Sequence, residues 1–208
     1  MFGTHDLPLF ILSGILLNLT PGQDTMYILG RGIWQGRTAA ITSALGISSG
    51  TVVHTLAAAF GLSAILAAST TAFTIVKWIG GGYLIYLGLR ILLSHSALSN
   101  PTHRREASLR SIYRQGMLTN LLNPKVSLFF LAFLPQFVDP AIPHRVLTFL
   151  FLGGCFLLSG TLWCLVLACA AGSISSTLKK WRTITHVTER LTGGLFILLG
   201  IRLATSKR

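Results

Sequence analysis

The sequence predicts an all-α, polytopic membrane protein with six transmembrane helices, built as two inverted three-helix repeats in which the first and fourth helices are interrupted. Three observations support this fold class: an apolar composition, six long apolar segments, and motifs that occur once in each half. Hydrophobic residues make up 51% of the 208 residues and charged residues 11%, whereas soluble domains carry about 25% charged residues. The length fits one transmembrane domain, residues 1–208, without a second soluble domain.

The six apolar segments reach the roughly 20 residues that a helix needs to cross a bilayer core of about 30 Å. We place them at Leu7–Leu29, Ala39–Ala67, Thr74–Leu93, Ser111–Val138, Val146–Ala171 and Ile184–Ala204. Repeat one then covers about residues 7–93, a basic loop about 94–112, and repeat two about 113–206.

The distribution of Lys and Arg between the loops predicts the orientation. With the N-terminus outside, eleven Lys and Arg residues fall on the cytoplasmic side, five fall outside, and Lys125 lies within the membrane. The positive-inside rule therefore places both termini outside and the basic loop in the cytoplasm. These loop residues and their contacts with lipid headgroups account for the net charge of +12, so no nucleic acid partner is expected.

Two motifs recur in the same order in both halves. Leu16–Asn18 recurs as Leu121–Asn123, and each is soon followed by a proline. Gly81–Arg90 recurs as Gly193–Arg202, with two glycines, five residues, glycine, one residue and arginine in both copies. Because three spans per repeat is an odd number, the second copy must be inverted in the membrane. Inverted repeats are typical of alternating-access carriers, whose site lies at the repeat interface.

Polar residues and a proline interrupt the first and fourth segments, at Asn18–Asp24 and at Asn123–Lys125. Irregular backbone at membrane depth is tolerated only where it is buried in protein or lines a cavity. We predict Thr20 as an N-cap, with Gln23 completing a capping box, and the same N-cap arrangement at the second break. Each break then offers a helix N-terminus that suits a carboxylate. A proline kink filled by a neighbouring Ser or Thr is the alternative. The predicted substrate-binding residues are Asn18, Pro21, Gly22, Asp24, Asn123, Pro124 and Lys125.

Asp24 is the one acidic residue well inside a predicted span. Since burial favours the neutral form of a carboxyl group unless a cation holds it ionised, Asp24 is the predicted proton-coupling residue, and Lys125 is the candidate cation. Alternatively, these two residues form a buried salt bridge that only fixes the halves together. His54 lies beyond the small-residue face of Gly46 and Gly50. It is either a second proton-coupling residue or a hydrogen-bonded packing histidine.

Four stretches carry motifs that occur together: Asn18–Asp24, Ala44–Gly50, Gly80–Gly88 and Asn123–Phe130. With them the chain resembles the LysE/RhtB family of amino-acid exporters over nearly its whole length. One departure from the family's P-G-P-D motif is Gln23, which replaces the second proline, removes a conformational lock and restores a backbone donor. The resemblance implies a multi-pass protein of the bacterial inner membrane that exports small neutral amino acids, such as homoserine, threonine or leucine, by proton antiport.

Two other classes stay open from the residues alone. A metal or inorganic-ion exporter of related architecture would need several intramembrane ligands, and Asp24 with His54 is a sparse set. A membrane redox or lipid-modifying enzyme would need a cysteine in each half or clustered acids, but all three cysteines lie in the fifth segment. We therefore expect a transporter and no enzyme, without cofactor or metal. Its expected partners are an amino acid, protons and membrane lipids, and the sequence leaves a homo-oligomer open.

Thiol labelling of single cysteines tests the orientation. In a background that lacks Cys155, Cys164 and Cys169, a Ser206→Cys protein should react with an impermeant thiol reagent in intact cells. A Ser108→Cys protein should react only after the membrane is opened, because the positive-inside rule places residues 94–112 in the cytoplasm. Labelling of the Ser108→Cys protein alone in intact cells would reverse the predicted orientation.

Overall fold

The computed structural model describes residues 3–64, 107–139, 142 and 145–171, together with separate residues within 71–93 and 190–201. Its described α-helices are α1 (Leu7–Leu19), α2 (Gln23–Ala57), α3 (Leu109–Leu121), α4 (Pro124–Leu128) and α5 (Arg145–Ala170). A π-helical turn, Ala58–Leu62, extends α2, and the segments Phe129–Phe133 and Leu134–Phe137 extend α4. The described residues of 71–93 and 190–201 are helical, as predicted for the third and sixth segments, and the predicted basic loop lies mostly outside the described residues. The described part is thus all-α.

Helix α2 folds back on itself at Gly36. This residue has φ +82° and ψ −178°, a left-handed conformation that glycine adopts without steric cost. A Cβ built on Gly32 would lie 3.1 Å from the Cβ of Ala40, whereas residues eight apart in a straight helix are about 12 Å apart. Helix α2 therefore consists of a first limb, residues 23–35, and a second limb, residues 37–57. This turn confirms the predicted separation of the first and second apolar segments.

Three described stretches are long and apolar enough to cross a membrane, if a broken pair is taken as one of them. Arg145–Ala170 meets the length on its own, and Gln23–Leu62 meets it when it is counted through the turn at Gly36. Leu109–Leu121 and Pro124–Phe137 form a pair bent by 45°. Helix α1 has 13 residues and so spans only about 20 Å. It can cross a bilayer of about 30 Å only together with the first limb. The inverted arrangement of two three-helix repeats stays a prediction.

The ends of the described helices meet at two places, which we call the N-terminal end and the Gly36 end. At the N-terminal end, the backbone N–H of His5 donates to the carbonyl of Phe137 at 3.2 Å. At the Gly36 end, Gln35 Nε2 donates to the Ala107 carbonyl at 3.0 Å, and Arg37 lies 3.2 Å from the sulfur of Cys169. The span formed by α1 and the first limb therefore runs from the N-terminal end to the Gly36 end, and the broken pair of α3 and α4 runs in the opposite direction.

Two clusters of buried side chains hold these helices together. Near the N-terminal end, an aromatic cluster contains Phe10, Phe129, Phe133, Phe137 and Phe156, with Phe129 stacked 4.7 Å from Phe156. Towards the Gly36 end, small and aliphatic residues of both limbs pack on α5 in a second cluster. The polar residues of the two breaks lie between these clusters.

Glycines allow the second limb to lie directly against α3. A Cβ on Gly46 would overlap the carbonyl oxygen of Tyr113, and a Cβ on Gly116 would lie 2.8 Å from the carbonyl oxygen of Ser43. A Cβ on Gly50 would lie 2.9 Å from the Met117 carbonyl oxygen. The predicted small-residue packing face of Gly46 and Gly50 is confirmed, and its partner is α3.

Gly46→Ala should lower the thermal unfolding temperature of the purified protein in detergent, because the new methyl group meets backbone that can move only with α3. Overpacking typically costs about 1–3 kcal/mol. Gly154→Ala is the matched control, since Gly154 is exposed and no neighbouring atom of the described residues lies within 4 Å of its Cβ position. It should unfold at the wild-type temperature or slightly higher. Equal unfolding temperatures for the two variants would contradict the close contact.

Candidate functional site

The first break lies where predicted, but its capping differs from the prediction. Thr20 ends α1: it is extended, with φ −67° and ψ 122°, and its hydroxyl donates to the Leu16 carbonyl at 2.8 Å. Helix α2 begins at Gln23 with Gly22 at the N-cap position, so the predicted capping box of Thr20 and Gln23 is wrong. The reason is Gly22: its extended backbone, with φ −157° and ψ −165°, makes α2 begin two residues later than the capping box requires, and the Thr20 hydroxyl bonds to α1 instead.

The second break follows the prediction. Asn123 is the N-cap of α4, and its Oδ1 accepts a hydrogen bond from the backbone N–H of Lys125 at 3.0 Å. Pro124 occupies the first helical position, where its missing N–H costs nothing. Asn123 is 2% exposed. This side chain therefore stabilises the break from inside the protein.

Lys125 connects the second break to the first. Its ammonium donates to the carbonyl oxygens of Leu17 at 3.0 Å and Thr20 at 2.8 Å. These carbonyls belong to the C-terminal turn of α1, the negative end of its dipole. A Cβ on Gly22 would lie 3.3 Å from Nζ, so the chain between α1 and α2 also passes close to the ammonium. The two breaks therefore lie against each other, and the bonds to α1 use two of the three ammonium hydrogens.

Asp24 lies in the first turn of α2, on the other side of the same break. Its Oδ2 accepts a hydrogen bond from Asn120 Nδ2 at 2.8 Å, while its Oδ1 is buried and has no hydrogen-bond partner in the part of the chain that the structure describes. Although Asp24 and Lys125 are both described, no salt bridge joins them: the carboxylate is bound by an amide and the ammonium by carbonyls. The alternative of a direct ion pair that only fixes the halves is therefore not what the geometry shows.

Asp24 and Lys125 line one central cavity, which has about 470 Å³ of free space including its open mouth. The indole Nε1 of Trp163, another lining residue, is buried without a hydrogen-bond partner. The cavity thus combines an anion, a cation and neutral hydroxyl groups, with an unused acceptor and an unused donor on its lining residues. Its polar lining residues besides the charged pair are Asn18, Thr25, Ser48, Thr51, Asn120 and Thr161.

The other predicted residues have different surroundings. Asn18 lines the cavity and donates to Ser159 Oγ at 3.3 Å. Four of the predicted residues shape the two breaks and do not line the cavity: Pro21, Gly22, Asn123 and Pro124.

His54 lies one layer away from the cavity. Its Nε2 is 3.2 Å from the Asn120 carbonyl oxygen, and its ring stacks on Phe130 at 5.7 Å. These contacts match the packing alternative rather than direct contact with a substrate.

Sequence reasoning missed two features of the cavity. Asn120 binds Asp24 directly, and the Ser48 and Thr161 hydroxyls meet at 2.9 Å between the second limb and α5. A signal for Asn120 existed, since it is an amide within an apolar segment and lies three residues before Asn123. The sequence contains no such signal for Ser48 and Thr161, because single hydroxyl side chains are common in membrane helices and often bond to the backbone of their own helix.

Two broken helices that meet at a charged, partly enclosed cavity define a helical membrane carrier. The chain belongs to the LysE type translocator family, whose family model matches residues 15–207. It is therefore a transporter rather than an enzyme, and a multi-pass protein of the bacterial inner membrane.

Three relatives cover nearly all of the chain. An uncharacterized membrane protein of Vibrio cholerae is 29% identical over 198 residues, which are 95% of this chain and 96% of the relative. An uncharacterized membrane protein of Pseudomonas aeruginosa is 28% identical over an alignment of 209 residues, which covers 98% of this chain and 97% of the relative. The homoserine/homoserine lactone efflux protein of Salmonella typhimurium is 28% identical over 198 residues, 95% of each chain. No solved structure matches the chain.

Lys125→Met should lower the thermal unfolding temperature in detergent, because it leaves the carbonyls of Leu17 and Thr20 without their donor. An unsatisfied buried polar group typically costs about 1–3 kcal/mol. Lys125→Arg keeps a donor of similar reach and should recover part of the loss. An unfolding temperature for Lys125→Met equal to that of the wild type would show that the bond to α1 does not stabilise the fold.

Proposed function

We propose that this protein exports small neutral amino acids, or close derivatives such as homoserine and its lactone, from the bacterial cytoplasm in exchange for protons. The observation that carries the proposal is the central cavity, where Asp24 and Lys125 lie at the meeting point of two helix breaks. Membership of the LysE type translocator family and the similarity to the homoserine/homoserine lactone efflux protein of Salmonella typhimurium support the substrate class.

The charges of the cavity complement a zwitterion. In the proposal, the substrate carboxylate binds the third N–H of Lys125 and the free backbone N–H groups at the start of α2, which has no side-chain cap. The substrate ammonium binds Asp24 through Oδ1, which has no partner among the described residues. Because one anion and one cation are present, a substrate without net charge leaves neither of them unpaired. The hydroxyls of Ser48 and Thr161 then face the substrate side chain.

Competition for one carboxylate couples the two fluxes. Asp24 can hold a proton or pair with the substrate ammonium, but a protonated carboxyl no longer attracts an ammonium ion. Each ligand therefore expels the other. Lys125 favours the ionised carboxylate by its positive charge and so sets the balance between the two ligands. A proton that enters from outside releases the substrate there, and substrate from the cytoplasm displaces the proton inside.

Export also requires that the cavity open alternately to the two sides, and two closures lie on either side of it. Towards the N-terminal end, Phe156 of the aromatic cluster lines the cavity and stacks on Phe129. Towards the Gly36 end, the guanidinium of Arg31 donates to Gln35 at 2.6 Å and to Gln115 at 2.8 Å, which ties the first limb to α3. In the proposal these two closures separate in turn, while the central cavity stays between them.

Counterflow in proteoliposomes tests the substrate class. Vesicles loaded with unlabelled homoserine should take up labelled homoserine and threonine faster than labelled lysine or glutamate, because a net charge on the substrate leaves an unpaired charge in the cavity. Empty vesicles are the control. A response that does not differ between the amino acids, or none, would overturn the proposal.

Asp24→Asn should abolish net efflux driven by a pH gradient and leave substrate exchange, because an amide cannot release a proton but can still accept a hydrogen bond from an ammonium. Asp139→Asn is the matched control, since Asp139 is an acid that does not line the cavity. Both variants are first compared with the wild type in expression and unfolding temperature. If folded Asp24→Asn protein still concentrates substrate in response to pH, the coupling group lies elsewhere, and His54 is tested next.

A further inference from the structure

Asn120 is a buried amide that connects the coupling carboxylate to the second limb. It is 1% exposed. Its Nδ2 donates to Asp24 Oδ2 at 2.8 Å, and its Oδ1 lies 3.3 Å from the hydroxyl of Thr51. Its backbone carbonyl oxygen lies 3.2 Å from His54 Nε2. Asn120 thus contacts Asp24 from the last turn of α3, immediately before the second break.

The contacts of Asn120 determine which way its amide faces. A carboxylate oxygen accepts hydrogen bonds and cannot donate them when ionised, so the NH₂ group must face Asp24. The Thr51 hydroxyl can donate to the amide oxygen and favours the same orientation. The amide therefore binds one carboxylate oxygen of Asp24 and leaves the other, Oδ1, without a partner.

Gly50 on the second limb leaves the space that the Asn120 side chain occupies. A Cβ at Gly50 would lie 2.7 Å from Asn120 Oδ1 and 2.8 Å from its Cβ, closer than real side chains allow. Gly50 is therefore required both for helix packing and for the position of the amide. The neighbouring position on the second limb, Thr51, supplies the hydroxyl.

We propose that Asn120 is a positioning residue for transport: it holds the Asp24 carboxylate in its ionised, substrate-binding state and leaves Oδ1 for the substrate ammonium. This inference rests on the proposed function. A hydrogen bond donated to a carboxylate favours its charged form. Among the described residues, the other titratable groups around Asp24 are Lys125 on α4 and Cys164 on α5, which interacts with both charges. His54 contacts the backbone of Asn120.

The consequence is a shift in the pH dependence of exchange. Without a pH gradient, homoserine exchange by the wild type should fall at low pH, where Asp24 is protonated and cannot bind the ammonium. Asn120→Leu removes the donor and keeps the number and branching of the side-chain heavy atoms, so the ionised carboxylate loses its hydrogen bond. We call this fall of the exchange rate at low pH the acid limb. Its midpoint should move upwards by about one to two pH units in the Asn120→Leu variant, as expected from the usual strength of a hydrogen bond to a charged group. At pH values above both midpoints, exchange should return to near the wild-type rate.

Three variants separate this role from a general effect on folding. Thr51→Val should shift the midpoint in the same direction but less, since it loosens the amide without removing it. Thr119→Val is the matched control: Thr119 is next to Asn120 on α3, and its hydroxyl donates to the Gln115 carbonyl of its own helix. It should leave the midpoint unchanged. The exchange rate of the Asp24→Asn variant should not show this acid limb, because an amide at residue 24 does not bind a proton in this range.

The results of these variants separate a failure of the inference from a failure of the proposed function. If Asp24→Asn loses the acid limb but Asn120→Leu keeps the wild-type midpoint, the role of Asn120 is wrong and Asp24 still couples transport. If Asn120→Leu lowers exchange equally at every pH, Asn120 acts only in packing and the inference is overturned. If Asp24→Asn keeps the acid limb of the wild type, the coupling role of Asp24 in the proposed function is wrong, and the inference falls with it.

Discussion

The described structure depends on one constraint: helix ends at membrane depth leave backbone groups that must find partners inside the protein. Helix α1 ends at Leu19, and the ammonium of Lys125 binds the carbonyls of Leu17 and Thr20 there. The second break meets the same constraint with Asn123, whose side chain caps α4. Because Lys125 follows this cap by two residues, one break supplies the group that satisfies the other. The two irregular segments are therefore held against each other.

Close helix packing sets the rest of the cavity. Gly46 and Gly50 bring the second limb into contact with the backbone of α3, and this contact places Asn120 beside Asp24. The aromatic cluster packs against the other side, so the charged groups lie between apolar walls. In such surroundings the interaction between charges is less screened than in water. A proton and an ammonium ion then compete strongly for one carboxylate, which is the basis of the proposed exchange.

The family relationship and the site address different questions. The LysE type translocator family and the relatives of similar length identify a membrane transporter. They do not say which side chains bind the cargo. The arrangement of Asp24, Lys125 and Asn120 supplies that hypothesis, because it provides both charges of a zwitterionic site and a reason why one carboxylate oxygen is left for the ligand.

The sequence by itself determined the class of protein, because apolar length, loop charge and helix breakers act locally and can be seen along the chain. It also located both breaks, the cap at Asn123 and the packing face of Gly46 and Gly50. The predicted capping by Thr20 was wrong because the extended backbone of Gly22 makes α2 begin at Gln23, and the Thr20 hydroxyl bonds to Leu16 of α1.

Only the tertiary structure decided the partners of the charged groups. From the sequence, Asp24 and Lys125 could pair or stay apart. The structure places an amide on one and two carbonyls on the other. Residues 24 and 120 are almost a hundred positions apart, and no local pattern determines which side chain of α3 faces Asp24. That choice follows from the contact between the second limb and α3, because the glycines of the limb set how closely, and at which residues, the two helices meet.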